Sequence, residues 1–551
     1  MSRSLSESID NASVGAADPK HEREEQEFGG AYPQERDIQE EQAEDVLFEK
    51  ELIMTGTGHG SRLTRREFLE RTGIGVGTLA LSSCGLWPTG EQGSVVSLPR
   101  ATDTGRIRKY LLDVGPLDLA FGEQSVSTWV YNGTVPGPEL RLTEGETLRV
   151  TVHNHLPEET TIHWHGLPIP NSMDGVPYVT QAPIKPGEVF TYDFVAPVAG
   201  TYFYHSHAGL QSDRGLYGPL IIEPVKETMG YDREFVLVLD DWLDGLPGTP
   251  EDAMKHLMAN GSMMGGMSGM SSMGNGSGNM LPSQAPPDIV YPLYLINGRS
   301  GSAPLELPVK RHEKVRLRFI NAASATIFRV ALASHRMTVT HTDGQPVEPV
   351  EVDVLRMGMG ERYDVLVRAN SPGVWQLAVQ AEGTTKMVRA IFRYEGSTGP
   401  LPPPGYQPEE LTGQLLRYSM LKAAPGPGVS SSKSGPDRVV PMMLSGGMGQ
   451  YVWTIDGQAF PQADQIALPY QQSIRFQLSN MSMMSHPIHL HGHSFQVENG
   501  AGRGPLKDTV LVEPMQQLAI DWISDNPGKW AFHCHNLYHM MAGMMRIVKV
   551  G

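Results

Sequence analysis

The sequence predicts an all-β protein built from consecutive Greek-key β-sandwich domains. Three observations lead there. The 551 residues include 60 Gly and 42 Pro, about a fifth of the chain against a usual share of roughly 12%. The apolar residues fall in short alternating runs bounded by Gly and Pro turn signals. No long stretch keeps a 3.6-residue period. An apolar fraction of 40% is enough for several cores, and at roughly 150 residues per domain the length suggests three or four.

The strand-like runs are Leu140–Val152, Val189–Val195, Gly218–Glu223, Phe235–Leu239, Lys314–Ile320, Tyr363–Val367, Ser473–Leu478 and Met544–Val550. Two stretches, 398–410 and 422–437, are rich in Pro, Gly and Ser and read as linker. Three domains are expected, at about 100–226, 230–395 and 410–551. Within the second lies a Met/Gly/Ser-rich insertion, 254–280, with methionine at 254, 258, 263, 264, 267, 270, 273 and 280.

Residues 1–84 form a separate region. The first 83 carry 17 acidic and 9 basic residues, and residues 1–50 lack apolar periodicity, so a disordered tail is expected. Next come Thr64-Arg65-Arg66-Glu67-Phe68-Leu69 and a Gly-rich apolar run, Gly73–Leu81. Basic pair, apolar run and small-residue exit follow in the order of a twin-arginine export signal. Leu81-Ser82-Ser83-Cys84 resembles a lipoprotein cleavage box, with Cys84 as the residue to be lipidated. Handling by the twin-arginine machinery and a periplasmic or cell-envelope location follow as expectations. The net charge of −17 disfavours nucleic acid as a partner, because phosphate binding needs a basic surface. With only Cys84 and Cys534 in the chain, no disulfide framework is indicated.

The histidines carry the chemistry. Nineteen histidines in random order would give about 0.65 His-x-His pairs, and counting is the test of a pattern. The chain has six, at 153/155, 163/165, 205/207, 489/491, 491/493 and 533/535. On a strand, residues i and i+2 share a face, so each pair aims two imidazoles at one point. Imidazole suits copper, zinc, iron and nickel. The run His533-Cys534-His535-Asn536-Leu537-Tyr538-His539 is followed by Met544. A cysteine, a histidine and a weak methionine, joined by a second histidine from elsewhere, make a type 1 blue-copper site. His533 and His535 point to the opposite face from Cys534 and can serve a second centre.

With these motifs the sequence resembles the three-domain multicopper oxidases of the laccase and cuprous-oxidase group. Four histidine motifs of that family occur in order: His163-Trp164-His165-Gly166, His205-Ser206-His207, His486-Pro487-Ile488-His489-Leu490-His491-Gly492 and the His533–Met544 run. Asn132–Pro138, Asp174-Gly175-Val176-Pro177, Gly200–Tyr204 and Lys507-Asp508-Thr509-Val510 add to the likeness, which covers residues 104–551. It implies cupredoxin-like domains and four copper ions with dioxygen as co-substrate. Type 1 copper would take His486, Cys534 and His539, with Met544 as axial ligand. Met545 is the competing axial candidate, but the five-residue step from His539 matches Met544. Type 2 copper would take His163 and His489. The type 3 pair would take His165, His205 and His535 on one ion and His207, His491 and His533 on the other. The cluster should then lie between domains one and three.

The resemblance also implies four one-electron oxidations coupled to reduction of dioxygen to water. Protons must arrive, and Asp174, eleven residues after His163, stands where the family has its acidic residue; Asp-Gly in a turn would explain it alone, but the likeness covers the whole loop and favours the proton role. Where some relatives carry a carboxylate after the second type 1 histidine, this chain has Met540. The donors expected are Cu(I), which thioethers select, and phenols or aromatic amines. Met484 matches a substrate-copper position of cuprous oxidases, although the aspartate those enzymes have two residues earlier is Ser482 here. The alternative, a non-catalytic periplasmic copper-binding protein, leaves the cluster ligands without purpose. A copper nitrite reductase lacks the histidines flanking the cysteine.

Overall fold

A computed structural model of the chain describes residue 98 and residues 100–551, apart from 122–123, 247, 261–286, 426–434, 448 and 501. The acidic tail, the twin-arginine-like segment, Cys84 and most of the Met-rich insertion lie outside these residues. Of that insertion, positions 254–260 belong to the helix Pro250–Asn260. Among the described residues no helix is long and apolar enough to cross a membrane.

The described strands form six sheets, paired into three cupredoxin-like sandwiches. In the first, Gln124–Tyr131, Ile107–Phe121, Thr147–Asn154 and Val189–Val195 make one sheet. The facing sheet holds Leu140–Thr143, Tyr217–Glu223, Gly200–His205 and His163–His165. Alternation sets what faces inward. Leu112, Val114, Val150 and Val152 meet Tyr202, Tyr204, Leu220 and Ile222 in one buried cluster. The single run expected over Leu140–Val152 is two strands, Leu140–Thr143 and Thr147–Asn154. They are parted by a turn in which Gly145 takes φ +81°, and they serve different sheets. A continuous apolar run cannot show that break, because both halves face the same core.

In the third sandwich, one sheet runs Ile466–Leu468, Met545–Val550, Gly528–Cys534, His486–Leu490 and Thr509–Val512. Its two middle strands are antiparallel, with His489 opposite His533 and Ile488 opposite Cys534. The stretch after the second sandwich is fastened to it by bridges from Val354 to Leu415 and from Val347 to Ala423.

Trp164 anchors the His163–His165 strand. Its ring is fully buried and meets Tyr192 and Phe194 edge-on, with centroids 5.4 and 5.3 Å away. The core contact on one face of the strand thereby fixes the two histidines on the other. Trp164→Ala is expected to lose about 3–5 kcal/mol, the usual cost of an emptied aromatic site, and copper retention with it. Denaturant unfolding and metal analysis of the purified variant check this.

Candidate metal centre

Strand alternation divides the ligand candidates between two faces of one sheet. On His486–Leu490, residues 486, 488 and 490 share the face of Cys534, while His489 shares that of His533. The first face carries a small triangle. Cys534 Sγ lies 3.6 Å from His486 Nδ1 and 3.6 Å from His539 Nδ1, and the two nitrogens are 3.1 Å apart. All three residues are completely buried. Bonds of about 2.0–2.3 Å, usual for a first-row metal to imidazole and thiolate, would span that triangle from one ion.

Local structure sets each vertex. Asn536 caps the short helix Leu537–Met541, its side chain accepting from the N–H groups of Tyr538 and His539. His486 Nε2 is 2.7 Å from Ser482 Oγ, and His539 Nε2 is 2.8 Å from Asp288 Oδ2. These contacts fix the outer nitrogens and leave both Nδ1 atoms facing the sulfur. Trp453 closes the site, its ring centroid 4.1 Å from that of His539. Met544 is fully buried, and its carbonyl accepts from the N–H of Cys534.

On the other face, eight histidines from both ends of the chain converge. His163 stacks on His491 and His165 on His489, each pair with centroids 3.8 Å apart. His163, His489 and His491 form one group able to hold an ion. His207, His491 and His533 form another, and His163, His165 and His205 a third. The outer ring nitrogens are engaged. His163 Nδ1 is 2.8 Å from the Asp174 carbonyl, His489 Nδ1 2.8 Å from the Asp508 carbonyl, and His205 Nδ1 2.9 Å from the Ser206 carbonyl. His165 is turned the other way, its Nε2 lying 3.1 Å from Asp508 Oδ1.

Among the inward nitrogens, His491 Nε2 and His533 Nε2 lie 3.0 Å from each other, but most of the rest are not engaged. His163 Nε2, His165 Nδ1, His205 Nε2, His207 Nε2, His489 Nε2 and both nitrogens of His535 are buried with no hydrogen-bond partner. Buried polar atoms rarely go unpaired, because desolvation costs about 1–3 kcal/mol each. Metal ions satisfy such a set. Burial, opposed by the Ser206 and Cys534 carbonyls, pushes His205 down to about 3 and His533 down to about 4. Both are therefore neutral at pH 7, with a lone pair to give. Burial also pushes the Cys534 thiol well above its ordinary value, so a thiolate there needs a cation beside it. The residues present fit a copper set on both faces.

Asp174 is fully buried, with Oδ2 3.0 Å from His491 Nδ1. Its carbonyl holds His163, so one residue orients histidines from both ends of the chain, and its Oδ1 has no hydrogen-bond partner. Gly175 takes φ +85°, and a Cβ there would meet the Ile162 carbonyl oxygen at 1.8 Å. Only glycine lets the loop bring Asp174 in. Met484 packs partly buried against the apolar core, whereas Met481 and Met483 are 55% and 54% exposed. A cavity of about 20 Å³, enough for a water-sized molecule, is lined by His205, His207, His533, His535, Ser324 and Met540 among others.

Sequence reasoning missed the groups that orient the ligands. Arg362, from the second sandwich, grips both oxygens of Asp508 at 2.6 Å. Lys507 sits 3.1 Å from Asp343 and 3.0 Å from Glu361. Burial opposes the Lys507 charge, but those two carboxylates outweigh it and raise its pKa. Asp508 belongs to the Lys507-Asp508-Thr509-Val510 motif, but no sequence spacing points to Arg362, 146 residues away, or to Asp288, 251 residues from His539.

Comparison with known proteins agrees with this geometry. Three models of the family described as multicopper oxidase match residues 115–227, 233–397 and 434–551. The chain is 40% identical over 496 residues to the multicopper oxidase MmcO of Mycobacterium tuberculosis, covering 88% of this chain and 97% of that protein. It is 28% identical over 615 residues to copper resistance protein A of Escherichia coli, covering 89% and 99%. Among solved structures, the laccase of Botrytis aclada superposes with a TM-score of 0.66 at 26% identity, over 82% of this chain and 88% of that one.

Arg362→Ala is expected to leave Asp508 buried without its cation and to free His165. The predicted losses are about 3–5 kcal/mol of stability and about 10–100-fold in copper affinity. Chemical denaturation and chelator competition measure them separately.

Proposed function

Because the chain belongs to the multicopper oxidase family, we propose that it oxidises Cu(I), and phenols or aromatic amines beside it, at the expense of dioxygen. The enzyme is an oxidoreductase of a family that includes copper-resistance proteins and laccases. Copper, when bound, supplies one-electron acceptance at the cysteine site and four-electron reduction of dioxygen to water at a three-ion cluster.

His486, Cys534, His539 and Met544 would hold the first ion. Met545 lies opposite His533 in the sheet, which turns its side chain toward the cluster face; this favours Met544. His163 and His489 would hold the type 2 ion. His165, His205 and His535 would hold one type 3 ion and His207, His491 and His533 the other. The grouping of His207, His491 and His533 within bonding reach of one point supports that last set. Cys534 is covalently flanked by His533 and His535. His533 Nδ1 also donates to the Cys534 carbonyl over 2.9 Å, which gives electrons a short bonded route between the faces. Asp174, with Oδ1 3.3 Å from His163 Nδ1 and Oδ2 3.0 Å from His491 Nδ1, is the carboxylate proposed to deliver protons. Export through a twin-arginine signal, with a lipid at Cys84, completes the proposal. It rests on the order of residues in the sequence.

The donor reading is carried by exposed sulfur. Met481 and Met483, just before His486, are more than half exposed, and Met515 is 62% exposed. Asn480 and Ser485 bond to Glu513 and Gln516, which binds the two methionine loops to each other. Methionine is rarely so exposed, and thioether is a Cu(I) ligand. Replacing Met481, Met483 and Met515 together by leucine is expected to lower kcat/KM for Cu(I) by about tenfold or more and to leave phenol turnover unchanged. Parallel oxygen-uptake assays decide it. An equal fall on both donors, or none on Cu(I), would remove the case for Cu(I).

A further inference from the structure

One histidine pair has no part in either centre. His153 and His155 sit at the end of the Thr147–Asn154 strand and just beyond it. Asp113, on the neighbouring Ile107–Phe121 strand, lies in register with His153. Asp113 Oδ1 is 3.1 Å from His153 Nδ1 and 3.5 Å from His155 Nε2. One ligand atom from each of the three residues falls within 4.8 Å of the others.

The backbone brings these groups together before any ion arrives. The His155 N–H donates to the Val114 carbonyl at 2.7 Å, which extends the ladder one residue past the strand. The Asn132 side chain accepts from the Asp113 N–H at 2.6 Å. Opposite His155 the strand has Gly115, where a Cβ would lie 3.4 Å from the His155 Cβ. Glycine inside a strand weakens it and often marks a close approach; here it leaves His155 room to lie over the neighbouring strand.

Alternation turns all three side chains outward. Leu112, Val114, Val152 and Asn154, their chain neighbours, are buried, whereas Asp113, His153 and His155 are 49%, 36% and 60% exposed. The copper ligands of this domain are on the facing sheet, with the apolar core between.

We propose that Asp113, His153 and His155 form a separate surface site for a divalent transition metal, taking Cu(II) ahead of Zn(II). Two imidazoles and one carboxylate are a borderline donor set. With no thiolate or thioether the site does not select Cu(I), and among divalent ions the affinity order peaks at Cu(II). The remaining coordination positions face water. The site stands whether or not Cu(I) is the enzyme's donor.

The test uses the full protein with its resident copper in place and loosely held metal removed. Cu(II) and Zn(II) are titrated in separate calorimetric runs, with metal analysis of the desalted product. The wild type should take up one further equivalent of either ion, Cu(II) the more tightly. H153Q/H155Q should take up none while keeping its oxygen uptake and blue absorption. D113N should bind with a Kd about tenfold higher or more, since losing even an outer-sphere partner typically costs about 10–100-fold. Electron paramagnetic resonance of the added Cu(II) should show two imidazole nitrogens in the wild type and one in H155Q. A wild type that takes up no further ion, or a double variant that binds it as tightly, would overturn the proposal.

Discussion

Adjacent residues on a strand face opposite ways, and that rule organises the whole molecule. In His533-Cys534-His535 it places one sulfur on the face of His486 and His539, and two imidazoles among the histidines from the other end of the chain. A helix could not do this, because neighbouring residues there lie about 100° apart rather than on opposite sides. The pairing of His489 with His533 and of Ile488 with Cys534 keeps the two strands in phase. A slip of one residue would exchange the faces and destroy both centres.

None of the proposed copper ligands lies in the second domain, yet its described residues steady the histidine cluster. Arg362, Asp343, Asp508, Lys507 and Glu361 form a buried charged network that joins it to the third domain. Charges in such a place are costly unless each is paired. Here every cation has carboxylates on it, and Asp508 passes its orientation on to His165. The same device recurs at the cysteine site, where Asp288 of the second domain holds His539. Placement of the histidines and the cysteine from the first and third domains thus depends on groups outside the proposed ligand set.

Most of the chemistry was legible in the sequence because it is local. His-x-His pairs and the cysteine between histidines need only strand periodicity and counting to be recognised, whereas the step from His539 to Met544 rests on the family resemblance. The sandwich class followed from turn density and alternating runs. What escaped was non-local or geometric. Arg362 and Asp288 act on residues far along the chain, and no spacing links them. The break at Gly145 was hidden because both strands it separates face one core. Asp174 was legible as a carboxylate near His163, but its grip on His491 appears only once the two ends of the chain are brought together. The His153/His155 pair stood out by count alone; Asp113 joined it only through strand register.

The central claim is that Cys534 anchors one copper apart from a cluster of three. Copper quantification with visible absorption on the wild type and on Cys534→Ser tests it most directly. The account predicts four coppers per chain and a blue band in the wild type, and three coppers with no blue band in the variant. A blue band that survives the substitution, or a copper content that collapses to zero or stays at four, would contradict it.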